Sequence, residues 1–351
     1  MPGIIDVAKH AGVSISTVSN VLTGARPVSP ALAKQVMDAV EALDYRVNPL
    51  ASGLKSKKSE TIGVIFASFN RIFFTQVLRG IEDVAMKYGY RVNIFESGEN
   101  LEKEKEYVEL LVNSWTDGII LSSYADIANE ADKAYLKSLG ALTCKGRRIP
   151  VIGLERSLHN GVSGAVLVDN EQAAYDVVRH MLDMGHTRIA HIAGPPNLPM
   201  SSERLNGYCR ALDEAGIAID KNLIKTGDFT PLKGYEAMRQ LLDGTSLTAV
   251  FAANDQMAVG AMKAIKETGF KIPEEIAVAG FDNIFASSLI TPSLTTVNVP
   301  RYAMGVQAME LLVEKITNPE SERQITRLKG TVVKRQSTDV KGDSAWDLYG
   351  W

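Results

Sequence analysis

The chain of 351 residues contains only two cysteines, Cys144 and Cys209, which lie far apart and match no metal-ligand spacing. We therefore expect reduced thiols, with neither a disulfide framework nor a bound metal. The sequence has no run of about 18 apolar residues, and its start shows no basic segment followed by an apolar one. These absences argue against membrane insertion and secretion, and we expect a cytoplasmic protein.

The sequence also lacks the motifs of catalysis and of nucleotide binding. No Gly-x-Gly-x-x-Gly turn and no Gly-Lys-Ser/Thr loop follows a predicted strand, which disfavours the usual phosphate-binding folds. None of the five histidines lies in a His-Glu-x-x-His pair or beside a nucleophile motif. We therefore expect a non-enzyme without a cofactor.

Charge is distributed unevenly along a chain of otherwise ordinary composition. Hydrophobic residues make up 45% and charged residues 23%, as in globular proteins, and the length indicates two or three folding units. Residues 1–60 carry seven Lys and Arg against five Asp and Glu, whereas the remainder carries 31 against 36. This mild asymmetry supports a nucleic-acid partner for the head.

The first 45 residues show the apolar spacing of short helices. Gly12 marks a tight turn after the first helix, and Ser14 is a suitable N-cap for a second helix over residues 15–22. Ser29 and Pro30 begin a third helix. Two helices joined by so short a turn form a helix-turn-helix. The expected inward residues are Ile4, Val7, Ala8 and Ala11, then Val18, Val21 and Leu22, then Leu32, Val36, Val40 and Leu43.

The outward face of the second helix carries hydroxyls and one amide but no charge: Ser16, Thr17, Ser19 and Asn20. Asn20 can form a bidentate pair with adenine in the major groove, and hydroxyls can donate or accept. Phosphate contacts, which position a protein without reading sequence, would come from basic side chains elsewhere. The alternative is a small three-helix bundle with a solvated polar face. The candidate phosphate contacts are Arg26, Lys34, Lys55, Lys57 and Lys58.

A short hinge helix is predicted from Asn48 and Pro49 onward, barely two turns long and therefore unstable alone. We expect it to form only against a second copy and DNA. Leu54 beside Lys55 fits an apolar wedge in the minor groove with phosphate contacts at its side. A flexible basic linker is the alternative, and the residues leave both open. The apolar stripe consists of Leu50, Ala51 and Leu54.

The segments Asp6-Val7-Ala8, Ala11-Gly12-Val13-Ser14 and Thr17-Val18-Ser19 resemble the signature of the LacI/GalR family of bacterial transcription regulators, and the likeness covers residues 4–338. The resemblance implies that Ile15, Ser16 and Asn20 set operator preference and that Leu54 is the minor-groove leucine. Gly3 departs from the Thr that usually caps the first helix, and Asn20 departs from the common Arg or His. The predicted DNA-binding residues are Ser14, Ile15, Ser16, Thr17, Ser19, Asn20, Arg26, Ala51, Leu54 and Lys55.

From Thr61 onward, short apolar runs alternate with amphipathic segments. The alternation predicts parallel sheets covered by helices on both faces, and the number of runs indicates two sheets. The predicted strands are residues 62–66, 91–95, 118–121, 151–154, 165–168, 189–192, 249–252 and 276–279. The predicted helices are residues 77–88, 102–112, 173–184, 203–215, 234–242 and 256–268, and residues 140–148 are expected to form a surface loop.

Ligands of open α/β sheets bind beyond the carboxyl ends of the strands. The side chains expected there combine aromatic faces with carboxylates, amides and arginine, which suits a polar small molecule with hydroxyls. They are Phe69, Asn70, Phe73, Phe74, Glu155, Arg156, Asp169, Asn254, Asp255, Asp282 and Asn283, with Arg204 at the start of a helix.

The body resembles periplasmic sugar-binding proteins, which implies two lobes joined by crossovers near residues 157–164, 290–293 and 318–327. The resemblance aligns Arg204, Asn254 and Asp282 with effector contacts and Phe73 and Phe74 with an aromatic wall. We add Arg156 to this predicted effector site. The alternatives are structural: Asn254 as a helix cap, Asp169 and Arg156 as an ion pair, and Phe73 and Phe74 as buried core.

The sequence thus predicts an all-α helix-turn-helix head over residues 1–47, a hinge over 48–60, an α/β effector-binding and dimerisation core over 61–340, and a tail of unassigned role over 341–351. Lobe one is expected at about 61–158 and 293–320, and lobe two at about 162–290 and 325–340. We expect a homodimeric repressor of a near-palindromic double-stranded DNA operator, controlled by a sugar or sugar derivative. A solute-binding protein and an enzyme of phosphosugar metabolism are the rivals; the first sixty residues oppose the former, and the missing motifs oppose the latter.

Overall fold

The computed structural model describes residues 2–24, 26–45, 59–158 and 162–346. The chain divides into two compact units, Met1–Glu60 and Thr61–Trp351. The hinge helix predicted from Asn48 lies outside the described residues. None of the helices in the described ranges is long and apolar enough to cross a membrane.

The head contains the three predicted helices, α1 (Ile4–His10), α2 (Ile15–Thr23) and α3 (Pro30–Ala42). Gly12 has a φ of +58°, the left-handed conformation that lets the chain reverse between α1 and α2. The Ser14 hydroxyl accepts a hydrogen bond from the Thr17 amide at 3.1 Å and so caps α2 as predicted. Val7, Val18 and Val36, one from each helix, are fully buried.

Two details of α3 were predicted wrongly. Ser29 lies at the N-cap position, but its side chain makes no capping hydrogen bond, and Pro30 alone marks the start of the helix. Leu32 is 39% exposed and lies outside the cluster of residues that forms the head core. The buried stripe therefore begins one turn later, at Val36, because the first turn of α3 extends beyond that core.

The body alternates strands and helices as predicted. Its longer helices begin up to four residues before the predicted starts. The strands are β1 (Thr61–Phe66), β2 (Arg91–Glu96), β3 (Gly118–Leu121), β4 (Thr143–Cys144), β5 (Arg147–Arg148), β6 (Val151–Leu154), β7 (Gly164–Val168), β8 (Ile189–Ala193), β9 (Ile224–Thr226), β10 (Ala249–Ala252), β11 (Ala277–Ala279), β12 (Thr296–Asn298), β13 (Gln324–Leu328) and β14 (Thr331–Val333). The helices are α4 (Phe74–Lys87), α5 (Leu101–Asn113), α6 (Glu130–Ser138), α7 (Asn170–Asp183), α8 (Pro199–Glu214), α9 (Pro231–Gly244), α10 (Asp255–Glu267), α11 (Ala286–Leu289) and α12 (Arg301–Thr317), with 3-10 turns at Leu139–Ala141 and Lys221–Leu223.

Among the described residues, these strands form two parallel sheets and two short antiparallel pairs. The larger sheet has the order β13-β7-β6-β3-β1-β2, and the smaller has the order β11-β10-β8-β9. The central strands β3, β6, β7, β8 and β10 are buried along their whole length. This is the expected composition of parallel strands that have helices on both faces.

The predicted lobe boundaries were wrong at two strands. β7, which we expected in lobe two, pairs with β6 in the larger sheet, and β13 pairs with β7 in the same sheet. The chain therefore leaves lobe one after Val168, not near residues 157–164, and returns through α12, which packs on α4. Residues 140–148, expected as a surface loop, contain a hairpin whose antiparallel strands, β4 and β5, have two residues each.

Glycine allows the closest helix approach in lobe one. A Cβ atom on Gly305 of α12 would overlap the Val77 carbonyl of α4, and a Cβ on Gly80 of α4 would overlap the Tyr302 carbonyl of α12. The two helices thus cross with their backbones in contact. Since backbone atoms cannot move aside as flexible side chains do, larger residues at these positions must push the helices apart.

We predict that Gly305→Ala lowers the free energy of unfolding by about 1–3 kcal/mol, because overpacking outweighs the gain of about 1 kcal/mol in helix propensity. Urea unfolding followed by circular dichroism measures the change. Gly244→Ala is the matched control, since a Cβ there meets no atom within 4 Å. Equal urea midpoints for the two variants would contradict the proposed close packing.

Candidate functional site

The reading face of the head is built on α2. The Ser14 hydroxyl that caps the helix also lies 2.7 Å from the Ser16 hydroxyl and 2.8 Å from the Thr17 hydroxyl. Ile15 and Ser16 are exposed, and Thr17, Ser19 and Asn20 are half-buried. The helix thus presents uncharged hydrogen-bonding groups beside one apolar side chain, which is the chemistry of contacts with base edges and thymine methyl groups.

The departure at Gly3 has a local compensation. Gly3 has no side chain to cap α1, but its amide donates to the Asp6 carboxylate at 2.8 Å. Asp6 lies in the first helical turn, where a negative charge also interacts favourably with the helix dipole. Arg26, a predicted phosphate contact, is exposed. The remaining predicted DNA contacts, Ala51, Leu54 and Lys55, lie outside the described residues.

The predicted effector cleft lies at the carboxyl ends of the strands of the body, and Arg204 is its central cation. Its side chain is 4% exposed. The guanidinium donates to the Asn170 side-chain oxygen at 2.9 Å and to the Ala253 carbonyl, and it lies over the Phe281 ring at 3.7 Å from the centroid. Burial lowers the pKa of Arg204, and the nearby Asp282 carboxylate opposes that shift. Four groups from three segments of the chain therefore fix this one side chain.

Asp282 faces Arg204 across 3.5 Å, with its Oδ1 atom toward the guanidinium Nη2. Its φ of +107° is a conformation that non-glycine residues rarely adopt. Within the described residues, the buried Oδ1 atom accepts no hydrogen bond. Burial raises the pKa of Asp282 to about 6, although Arg204 and Arg71 oppose the shift. A strained, buried acceptor with spare hydrogen-bonding capacity is typical of a ligand site.

Asn254 and Asp255 begin helix α10 beside Asp282. The Asn254 side chain accepts from the Met257 amide at 2.9 Å and donates to the Phe229 carbonyl at 3.0 Å. It therefore has the structural role of a helix cap that was the alternative to ligand contact. Asp255 accepts from the Ile284 amide at 2.8 Å, and burial followed by repulsion from Asp282 raises its pKa to about 8.

The remaining predicted effector residues, Phe73, Phe74 and Arg156, lie in two different environments. Phe73 is 3% exposed and packs edge-on against Phe74, whose ring also stacks on Phe66 at 4.5 Å. Both are therefore core residues, which was the structural alternative to an aromatic wall. Phe74 also contacts Arg71 at the cleft, since the Arg71 guanidinium carbon lies 4.9 Å from the Phe74 ring centroid.

Arg156 belongs to a different environment. It donates to the Ser123 carbonyl at 3.1 Å, and the largest electrostatic influences on its pKa after burial are Glu104 and Asp126. Asp169, its expected structural partner, instead caps α7 by accepting from the Gln172 amide. The geometry therefore does not support an ion pair between Arg156 and Asp169. The predicted effector contact of Arg156 stays a prediction, since its buried Nε and Nη2 atoms have no hydrogen-bond partner within the described residues.

Sequence reasoning missed three residues at the mouth of the cleft. Arg71 pairs with Glu155 at 2.6 Å, and its guanidinium carbon lies 5.3 Å from the Phe229 ring centroid. Gln256 donates to the Asn70 carbonyl at 3.0 Å and accepts from the Ile72 amide at 3.3 Å. Phe229 follows the three-residue strand β9, which the sequence pattern did not reveal. The signal that could have identified Phe229 is its place as an aromatic residue directly before Thr230 and Pro231, which begin a helix.

Two family models match the chain. Residues 3–48 match the model for bacterial regulatory proteins of the lacI family, and residues 178–338 match the periplasmic binding protein-like domain. A helix-turn-helix head and a two-lobed α/β core with a polar cleft define a ligand-responsive DNA-binding transcription regulator.

Relatives over nearly the whole length place the chain in one family. Catabolite control protein A of Priestia megaterium is 35% identical over 337 residues, which are 95% of this chain and 98% of that protein. The HTH-type transcriptional repressor CytR of Escherichia coli (strain K12) is 36% identical over 312 residues, or 89% of each chain. The chain belongs to the LacI family of bacterial transcription regulators.

Solved structures agree with this assignment. The lac repressor dimer bound to operator and the anti-inducer ONPF has a TM-score of 0.81 at 29% identity and covers 96% of this chain and 99% of its own. The complex of the transcriptional regulator CelR with cellobiose has a TM-score of 0.70 at 30% identity, with coverage of 96% and 100%. The predicted fold class, a helical head and a two-lobed α/β core with parallel sheets, is confirmed.

We predict that Asp255 makes the core less stable as pH rises. Its pKa is raised from 3.8 to about 8, so the folded protein retains a proton that the unfolded chain has released between these values. Stability should fall over this window by up to about 1.4 kcal/mol per pH unit. Urea midpoints of the unmodified protein and of Asp255→Asn, measured at pH 5.5 and 7.5, should therefore change differently.

The difference in urea midpoint between the two proteins should favour Asp255→Asn more strongly at pH 7.5. The exposed Asp243 provides a control, and Asp243→Asn should follow the unmodified protein at both pH values. Parallel pH dependence of all three proteins would show that Asp255 is ionised in the folded state.

Proposed function

We propose that the protein is a homodimeric repressor that binds a near-palindromic operator and is controlled by a small, uncharged, hydroxyl-rich effector, most simply a sugar. One observation carries the proposal: α2 of the helix-turn-helix head presents only uncharged hydrogen-bonding side chains around Ser16 and Asn20, a surface suited to reading base edges. A protein that acts on an operator works where the chromosome is, so we infer that this one is cytoplasmic.

The cleft supports an effector with hydroxyl donors. Asp282 Oδ1 can accept a further hydrogen bond, and Arg204, which could bind an acidic group, is already held by Asp282, Asn170 and the Ala253 carbonyl. A phosphate or carboxylate would have to displace these bonds, whereas a hydroxyl can donate to Asp282 without doing so. Relatives solved with bound cellobiose and ribose support a carbohydrate.

Control of DNA binding follows from linkage between the two sites. An effector that binds one conformation of the core better than another shifts operator affinity by the same coupling energy with which the operator shifts effector affinity. The relative solved as a dimer on its operator supports a twofold protein on a twofold site. Whether the effector releases the operator or strengthens binding is a matter of the sign of this coupling.

We predict that Asn20→Ala weakens binding to the cognate operator by about 1–3 kcal/mol and relaxes preference at one base pair, because Asn20 reads a base edge. Arg26→Ala should weaken binding to cognate and random duplexes alike, because Arg26 contacts phosphate. Fluorescence anisotropy on an operator selected from random DNA measures both affinities. Equal losses of Asn20→Ala on both duplexes would contradict its assigned role.

We predict that Arg204→Lys abolishes effector binding, because a lysine cannot supply the planar set of donors that holds Asp282 and Asn170 in place. A thermal-shift screen of sugars, including ribose and cellobiose, should identify ligands that raise Tm of the unmodified protein. Their effect should disappear in Arg204→Lys and persist in Arg179→Ala, a control whose partner Asp183 lies on the exposed face of the same helix. A screen in which Arg204→Lys responds fully would remove Arg204 from the site.

A further inference from the structure

Arg71 occupies an unusual position at the boundary of the two lobes. Its guanidinium carbon lies 4.9 Å from the centroid of the Phe74 ring of lobe one and 5.3 Å from that of the Phe229 ring of lobe two. Its Nη2 atom pairs with Glu155 at 2.6 Å, and the two side chains are only 12% and 5% exposed. The aromatic slot, formed by Phe74, Phe229 and Glu155, is thus filled by a flat cation that belongs to the chain itself.

Glu155 is fixed independently of Arg71. Its other carboxylate oxygen accepts from the Ser122 hydroxyl at 3.0 Å, and its φ of +61° is an uncommon left-handed conformation for a residue with a side chain. Glu155 follows directly on β6, at the carboxyl edge of the larger sheet where ligands of α/β folds bind. The acceptor of the slot therefore remains in place when its partner changes.

The backbone around Arg71 is also fixed, whereas its side chain has space to move. One amide group, on Gln256 of lobe two, bonds the residues on both sides of Arg71, the Asn70 carbonyl and the Ile72 amide. Beside the slot lies a cavity of about 240 Å³ whose lining includes Arg71 and the three carboxylates Glu96, Glu99 and Asp228. This acidic vestibule can receive the guanidinium if it leaves the slot, because the carboxylates would pair with it there.

We propose that Arg71 is an internal occupant of the effector cleft, and that an effector enters the aromatic slot by displacing its guanidinium into the acidic vestibule. The slot then favours a group that packs against the two rings, offers hydrogen-bond donors to the carboxylate and carries no negative charge, because such a group takes over the positions of the guanidinium beside two rings and one carboxylate. Arg71 sets the affinity and specificity of the site, since every effector must compete with it. This regulatory meaning rests on the proposed function, whereas the slot itself rests on the geometry.

The test uses methylguanidinium, which has the flat cationic head of arginine. In the full-length Arg71→Ala protein, the vacated slot should bind this ion, and Tm should rise saturably by about 3 °C at up to about 20 mM. The unmodified protein should show no such rise, because Arg71 already fills the slot. Sodium chloride at equal ionic strength corrects for a general salt effect.

Three further proteins make the result specific. Arg71→Ser vacates the slot in a second way, so that the outcome does not depend on the folding of one variant. Arg71→Ala combined with Glu155→Gln should lose the response, because a neutral amide replaces the carboxylate that pairs with the ion. Arg179→Ala removes an arginine whose partner is Asp183 on the helix surface, and it should respond no more than the unmodified protein.

The proposal is overturned if folded Arg71→Ala and Arg71→Ser show no saturable rise, or if the unmodified protein responds equally. It is also overturned if the response survives Glu155→Gln. Operator binding of the same preparations separates this outcome from the proposed function. A protein that binds its operator but has no methylguanidinium site contradicts the role of Arg71 alone, and one with the site but without operator binding contradicts the function alone.

Discussion

The buried ion pair between Arg204 and Asp282 is the interaction on which the ligand cleft depends. A cation removed from water at the edge of the smaller sheet would cost several kcal/mol without partners. Asn170 at the start of α7, the Ala253 carbonyl after β10 and the Phe281 ring after β11 all meet its guanidinium. Because Asp282 faces the cation yet accepts no hydrogen bond at Oδ1 within the described chain, the arrangement retains one acceptor for a ligand.

Local signals in the sequence were sufficient for most of the elements but not for their assembly, and they did not reveal β9, β12, β13, β14, α6 and α12. Gly12 and Ser14 predicted the turn and the cap of α2 because both act within four residues of the chain. The strand β7 was also predicted, but it was assigned to the wrong lobe. Parallel pairing joins segments that are distant in sequence, and the residues Gly164–Val168 do not by themselves indicate which sheet the strand joins. The burial of Leu32 was predicted wrongly for a related reason. Its helical spacing was correct, but how far the head core extends depends on tertiary packing.

The candidate site shows the same division. Asp282 follows a predicted strand, so the rule that ligands bind at strand ends found it. Arg204 lies in helix α8, and it was predicted from its place at a helix start and from the family resemblance. The sequence analysis missed Arg71 and Phe229, because their role depends on a contact between the two lobes. Arg156 follows its strand as expected, but its guanidinium donates to the Ser123 carbonyl. Position at a strand end is thus not sufficient for a place in the cleft, and side-chain direction, which depends on all neighbouring elements, decides the rest.

The central claim is that one chain couples a DNA-reading helix to a ligand cleft. Footprinting of the purified protein on DNA upstream of its own gene, at moderate salt and with increasing amounts of a sugar that stabilises the core, tests it most directly. The account predicts a protected near-palindromic site whose apparent Kd changes by about fivefold or more at saturation, which corresponds to a coupling energy of at least about 1 kcal/mol. A protected site whose Kd is independent of the ligand, or no protected site at all, would contradict it.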